Sequence, residues 1–278
     1  ICRCGHFYLY SGLYQHHDRT LGDFSWTGCY FSGFIFTNGI RRSGRASQAI
    51  PKGLKMEELL CTENLCRSFG GVMATNRVCF SVNNHGLTSI IGPNGAGKTT
   101  FINIITGKIG VTSGKIFFKG QDITDKPTHE LVKMGICRTF QINSIFENLS
   151  VFENLRIARQ AKDGGSLRIF SSKQSLRDVT EKTWALIERL GLKELAARPA
   201  KNLAYGDQRV LEVAIAMAGD PKILFLDEPT AGMSPAETRH ISTLIKDLAN
   251  EICVVLVEHD MDMVMSISDR ITVLQYGC

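Results

Sequence analysis

The run Ile90-Ile91-Gly92-Pro93-Asn94-Gly95-Ala96-Gly97-Lys98-Thr99-Thr100 carries the reading of the whole chain. It matches G-x-x-x-x-G-K-[ST], with an apolar strand, Leu87–Ile91, before it and a helical run, Thr99 to Thr106, after it. In that setting the glycines let the backbone curl until successive N–H groups point inward at phosphate oxygens. The helix start adds its positive end, Lys98 neutralises phosphate charge, and the Thr99 hydroxyl is placed to ligate Mg²⁺. The competing reading, a glycine-rich turn that matches by chance, loses to the strand and helix on either side. Residues 92–100 are therefore expected to hold a nucleotide.

A second stretch supplies what the loop lacks. In Lys222-Ile223-Leu224-Phe225-Leu226-Asp227-Glu228-Pro229, apolar residues make a strand buried on both faces that ends in two carboxylates. Neighbouring side chains on a strand point opposite ways, so the two acids can differ in task. Asp227 is expected to hold Mg²⁺ through its water shell, and Glu228 to polarise the attacking water as general base. Three weaker signals fall in order around this pair. Gln141, in Arg138-Thr139-Phe140-Gln141, offers a neutral amide for Mg²⁺ and the lytic water. Leu203-Ala204-Tyr205-Gly206-Asp207-Gln208 opens a helix, and Val257-Glu258-His259-Asp260 puts an imidazole where a γ-phosphate could be sensed. Alone, each would read as structural. Together they form a set.

Outward from these motifs, short β-rich runs alternate with helical ones: Lys115–Lys119, Gly135–Phe140, Ile223–Asp227, Ile252–Glu258 and Ile271–Gln275. That alternation predicts a mostly parallel sheet covered by helices. Ser150-Val151-Phe152-Glu153 and Ser234-Pro235-Ala236-Glu237 are capping boxes, the second with proline at the first helical position. Between about 145 and 205 no strong strand occurs, and Leu176 to Leu190 has helical spacing, so this stretch is read as a helical insertion.

Residues 57–277 resemble the ATP-binding subunit of ABC transporters, and within that family the ATPases of branched-chain amino-acid importers. Phe69-Gly70-Gly71-Val72, residues 91–100, Arg138-Thr139-Phe140-Gln141, residues 203–208, residues 227–235 and Glu258-His259-Asp260-Met261 carry the likeness. The resemblance implies an α/β fold of P-loop NTPase type, with a mostly parallel sheet, an antiparallel β edge and the helical insertion as a subdomain. It implies ATP and Mg²⁺ as ligands, Phe69 stacked on adenine, and Glu228, His259 and Gln141 in catalysis. A core phenylalanine on a strand is the alternative for Phe69. It also implies that Ala204, Tyr205 and Gly206 face the nucleotide of a second ATP-binding subunit. The wider family reads Leu-Ser-Gly-Gly-Gln there. With the hydroxyl missing at Ala204, backbone N–H groups near Gly206 are left to meet the phosphate. Transmembrane permease subunits, and through them a solute-binding protein, are the other implied partners, with the ATPase peripheral on the cytoplasmic face of the membrane.

Composition narrows the rivals. Of 278 residues, 44% are hydrophobic, and no apolar run reaches 18 residues, which argues against a polytopic membrane protein. The formal charge of +5 falls wholly in residues 1–55; residues 56–278 carry 25 basic and 25 acidic side chains, so nothing there argues for nucleic acid. One P-loop and no heptad run disfavour soluble relatives in translation or DNA repair. A regulatory module without turnover is opposed by the intact Glu228 and His259. An importer of urea or another small polar solute remains open, because the ATPase never touches the solute.

The first 55 residues stand apart: they hold 10 of the 23 aromatic residues and no apolar period. They are read as a poorly ordered leader, or as sequence upstream of a start at Met56, against the alternative of a membrane-associating segment at Phe24–Ile40. Nine cysteines without a C-x-x-C pair suit reduced thiols, and Cys2-Arg3-Cys4-Gly5-His6 is read as tail, not as a metal cluster. Residues 56–278 are expected to be one nucleotide-binding domain lacking the family's closing strand and helix.

Overall fold

Leu224 and Leu226 point to one side of their strand, Ile223 and Phe225 to the other, and all four are fully buried. A strand apolar on both faces must be covered on both, and that requirement sets the architecture. The computed structural model describes residues 58–139, 145–162 and 173–278, so the leader, Met56 and Gln141 lie outside the described residues.

Two sheets result. One is antiparallel, in the order β2-β1-β4-β5, from β1 (Glu58–Phe69), β2 (Val72–Asn83), β4 (Ser113–Phe118) and β5 (Gln121–Asp122). The other is parallel, in the order β6-β7-β8-β3-β9, from β3 (Gly86–Ile91), β6 (Ile136–Arg138), β7 (Ile223–Asp227), β8 (Cys253–Val257) and β9 (Arg270–Val273). The antiparallel edge is thus a sheet of its own. Between the two lie β3's helix α1 (Lys98–Ile105) and the short α2 (Thr128–Met134). Their side chains Phe101, Ile102, Ile105 and Leu131 join Leu60, Phe80 and Phe118 of the antiparallel sheet and Phe225 and Val255 of the parallel one in a single core.

The other face of the parallel sheet is covered by α5 (Tyr205–Met217) and α6 (Pro235–Ala249), with Val210, Leu211, Ala214, Ile241 and Ile245 against Leu224, Leu226, Val254 and Leu256. Helices α3 (Val151–Lys162) and α4 (Lys173–Arg189) extend this second core through Leu155 and Ile187, joined by Leu190 just past the end of α4. The final helix is α7 (Met261–Ile267). Both capping boxes form. The amide of Glu153 donates to Ser150 Oγ at 3.2 Å and its carboxylate accepts from Ser150 N at 3.0 Å; Ser234 and Glu237 repeat the pattern.

Candidate nucleotide site

Three adjacent parallel strands, β7, β8 and β3, end on the same edge of their sheet, where open α/β folds place ligands. Each releases one part of the site: Asp227-Glu228, Glu258-His259 and the loop 92–100. The loop's shape depends on glycine at two points. A Cβ at Gly92 would lie 2.1 Å from the Leu274 carbonyl oxygen, and one at Gly97 2.2 Å from that of Ala74. Both also have positive φ, 156° and 94°. Backbone packs against backbone there, and a side chain would force the loop open. Gly97 is the N-cap of α1, and no side chain caps that first turn. Its N–H groups keep their pull on an anion.

Lys98 is folded onto its own loop, with Nζ donating to the carbonyls of Gly92 (2.7 Å) and Pro93 (3.1 Å). Burial lowers its pKa, opposed by the nearby charges of Glu228 and Asp227. A lysine held by carbonyls of the loop it must serve can exchange them for phosphate oxygens at little cost in order.

Asp227 has a fully buried side chain, and one of its oxygens is committed: Arg138 donates to Oδ2 at 2.7 Å. Arg138 also donates to Asn103 Oδ1 on α1, tying the end of β6 to the helix after the loop. The other oxygen, Oδ1, is buried with no hydrogen-bond partner. A buried acceptor without a donor is costly unless something else meets it. Burial raises the Asp227 pKa, and the Arg138 guanidinium opposes that rise. An orphaned carboxylate oxygen at the sheet edge, beside the Thr99 hydroxyl's helix, fits a hydrated divalent cation.

Glu228 sits at φ 49°, an uncommon conformation for a side chain larger than glycine's. Its amide donates to Val257 O at 2.8 Å, and its Oε1 lies 2.9 Å from His259 Nε2. An ionised carboxylate can only accept, so the imidazole proton belongs on Nε2. Glu258, next to it, is buried and accepts from Thr230 N (2.9 Å) and Thr230 Oγ1 (2.6 Å), while its second oxygen takes the His259 amide at 3.1 Å. One buried acid thus fixes the two loops that carry Glu228 and His259. Neither Glu258 nor Arg138 was expected as a site residue; their partners lie 28 and 89 positions away in sequence, where no local pattern reveals them.

Phe69 is 44% exposed at the tip of the β1–β2 hairpin, which does not fit a core phenylalanine. One ring face is already covered by the Arg67 guanidinium at 4.7 Å. Ala204, Tyr205 and Gly206 open α5. Tyr205 OH donates to Ala231 O, in the segment after Glu228, at 2.9 Å and accepts from Arg209 of its own helix at 2.6 Å. The Gly206 amide, expected to be free for phosphate, donates to Glu237 Oε1 at 3.1 Å. Its reason is local: Ala204 is the N-cap of α5 and has no side-chain acceptor, so an acid from α6 takes the place of the missing hydroxyl.

The family model described as "ABC transporter" matches residues 75–231. The chain belongs to the ABC transporter family. It is 42% identical over 228 residues to the high-affinity branched-chain amino acid transport ATP-binding protein LivG of Escherichia coli (strain K12), covering 80% of this chain and 89% of that one. The corresponding protein BraF of Pseudomonas aeruginosa is 40% identical over 226 residues, covering 79% and 89%. Among solved structures, a nucleotide-free ATP-binding cassette from an ABC transporter superposes with a TM-score of 0.69 at 33% identity, covering 79% of this chain and 88% of that one. A cassette in its ADP conformation gives 0.70 at 32% over the same shares.

Proposed function

We propose that this ABC ATPase powers an importer of branched-chain amino acids, hydrolysing ATP at the edge of its parallel sheet. The observation that carries the reading is the Glu228–His259 hydrogen bond, formed across the ends of β7 and β8. Its two groups are a base and the residue that orients it. The loop 92–100 binds the phosphates through its N–H groups and Lys98, and Phe69 stacks on the adenine. Glu228 takes the proton of the attacking water, and His259 holds Glu228 by its carboxylate and meets the terminal phosphate. Thr99 and Asp227 hold Mg²⁺, with Gln141 as a further ligand; when bound, the ion offsets charge on the phosphate oxygens.

The described hydrogen bonds of Tyr205 and Gly206 run to Ala231 and Glu237 rather than to residues 92–100, which supports a site completed by a second ATP-binding subunit. Permease subunits anchor the pair to the cytoplasmic face of the membrane, and a solute-binding protein delivers the amino acid to them. No helix among the described residues is long and apolar enough to cross a membrane. The likeness to LivG and BraF supports the choice of solute.

The two acids separate in a single experiment. Glu228→Gln keeps shape and loses the base, so MgATP should still bind and close a dimer while hydrolysis falls by roughly 10²–10⁴-fold. Asp227→Asn removes the metal-facing charge and should weaken Mg²⁺-dependent binding itself. Gel filtration with MgATP beside phosphate release reads both, and identical behaviour of the two variants would refute the assignment.

A further inference from the structure

Glu237 uses both of its carboxylate oxygens at once. Oε2 closes the capping box of α6, accepting from Ser234 N at 2.9 Å and Ser234 Oγ at 2.7 Å. Oε1 reaches across to α5 and accepts from the Gly206 amide. The contact is close: a Cβ added at Gly206 would lie 2.9 Å from that oxygen and 3.0 Å from Glu237 Cγ. Hydrogen bonds from the Ser234 hydroxyl, the Ser234 amide and the Gly206 amide hold its pKa below the usual glutamate value, so it stays an anion at neutral pH. A negative charge thus rests on the second amide of α5, where the partial positive charge of the helix is concentrated.

We infer that Glu237 is a positioning residue that occupies the Gly206 N–H as an internal anion and must yield it when the terminal phosphate of a second subunit's nucleotide arrives. This rests on the reading that the start of α5 completes the partner's site. The two anions compete for one donor, so the chain holds α5 in register while empty and sets a threshold for closing on ATP. Release leaves α6 capped, because Oε2 and Ser234 are untouched.

The test uses the full chain carrying Glu228→Gln, with dimer fraction followed by light scattering against MgATP concentration. Adding Glu237→Gln removes the charge yet keeps the capping box, which glutamine at this position also completes. The half-maximal MgATP concentration for dimerisation should then fall about two- to fivefold, the range expected for one charge at a helix N-terminus. Binding of a fluorescent ATP analogue to the monomer should not change. Ser234→Ala is the second arm: it weakens the α6 cap but leaves the Glu237 charge, so the midpoint should stay or rise. An unmoved or raised midpoint with Glu237→Gln, or a midpoint lowered by Ser234→Ala, would overturn the inference alone. If the Glu228→Gln parent forms no ATP-dependent dimer, the two-subunit reading fails and takes the inference with it.

Discussion

At Asp227 the two carboxylate oxygens have opposite fates: Oδ2 is paired with Arg138 and Oδ1 is buried without a partner. The pair is nearly inaccessible to water, 8% and 0% exposed at the side chains. Taking away one member leaves an uncompensated buried charge, which typically costs 3–5 kcal/mol. Arg138→Met should therefore destabilise the chain by about that much in urea unfolding; a loss near zero would mean that water already reaches the pair. Lys98→Ala acts on the other charge. Two loop carbonyls lose their donor, so binding of a fluorescent ATP analogue should weaken and phosphate release stop. Turnover at the parental rate in that variant would remove the loop from the site. The loop and the acid pair were legible in the sequence because each is contiguous. Arg138, Asn103 and Glu258 were not, because what makes them matter is a partner on another element.

Elements differ in how openly the sequence announces them. The strands β7 and β8 are five-residue apolar runs, and the capping boxes of α3 and α6 are visible as spaced Ser-x-x-Glu. The long pair β1 and β2 is harder to read. Its register shifts repeatedly, and Asn64 and Arg77 both take positive φ, so the alternation of apolar and polar residues breaks. Thiols repair the ladder there: the Asn64 amide donates to Cys79 Sγ and the Arg77 amide to Cys66 Sγ, a use of cysteine that spacing alone does not signal. For α3, Ser150→Ala should cost about 1 kcal/mol, as loss of an N-cap hydroxyl usually does. The effect depends on pH. The Ser150 amide, and then its hydroxyl, lower the Glu153 pKa. A group whose folded pKa is depressed adds stability above its unfolded value, near 4.3, and loses it as pH falls through the lower folded value. The gap in urea midpoint between parent and Ser150→Ala should be full at pH 7 and narrow below pH of about 4. A gap independent of pH would show that the carboxylate plays no part.

The described residues form two cores divided by a parallel sheet, and alternate residues of β7 serve them separately. Phe225 fills the core shared with the antiparallel sheet, and Leu226 fills the one shared with α5 and α6. Phe225→Ala should cost roughly 3–5 kcal/mol and Leu226→Ala roughly 2–5, both read by urea denaturation. A cost below about 1 kcal/mol for either would mean that its layer is loosely packed. The parallel sheet and its covering helices were foreseeable from alternation; the independence of the antiparallel sheet was not, because it depends on which distant strands find each other. The order of the parallel sheet has a bearing on synthesis. Among the described residues strand β3 pairs with β8 and β9, whose first residues, Cys253 and Arg270, come 167 and 184 positions after Gly86. At roughly 5–20 residues per second, the ribosome leaves β3 without a neighbour for about 8–33 s after it emerges, while β1, β2, β4 and β5 can already associate. An apolar strand with two open edges for that long is a target for chaperones and for mispairing with other nascent chains. Stalled chains ending before Cys253 should be cut by protease near β3 and protected in the antiparallel sheet. Chains released after Val273 should resist at both, and the nucleotide loop that β3 carries should become able to bind only then.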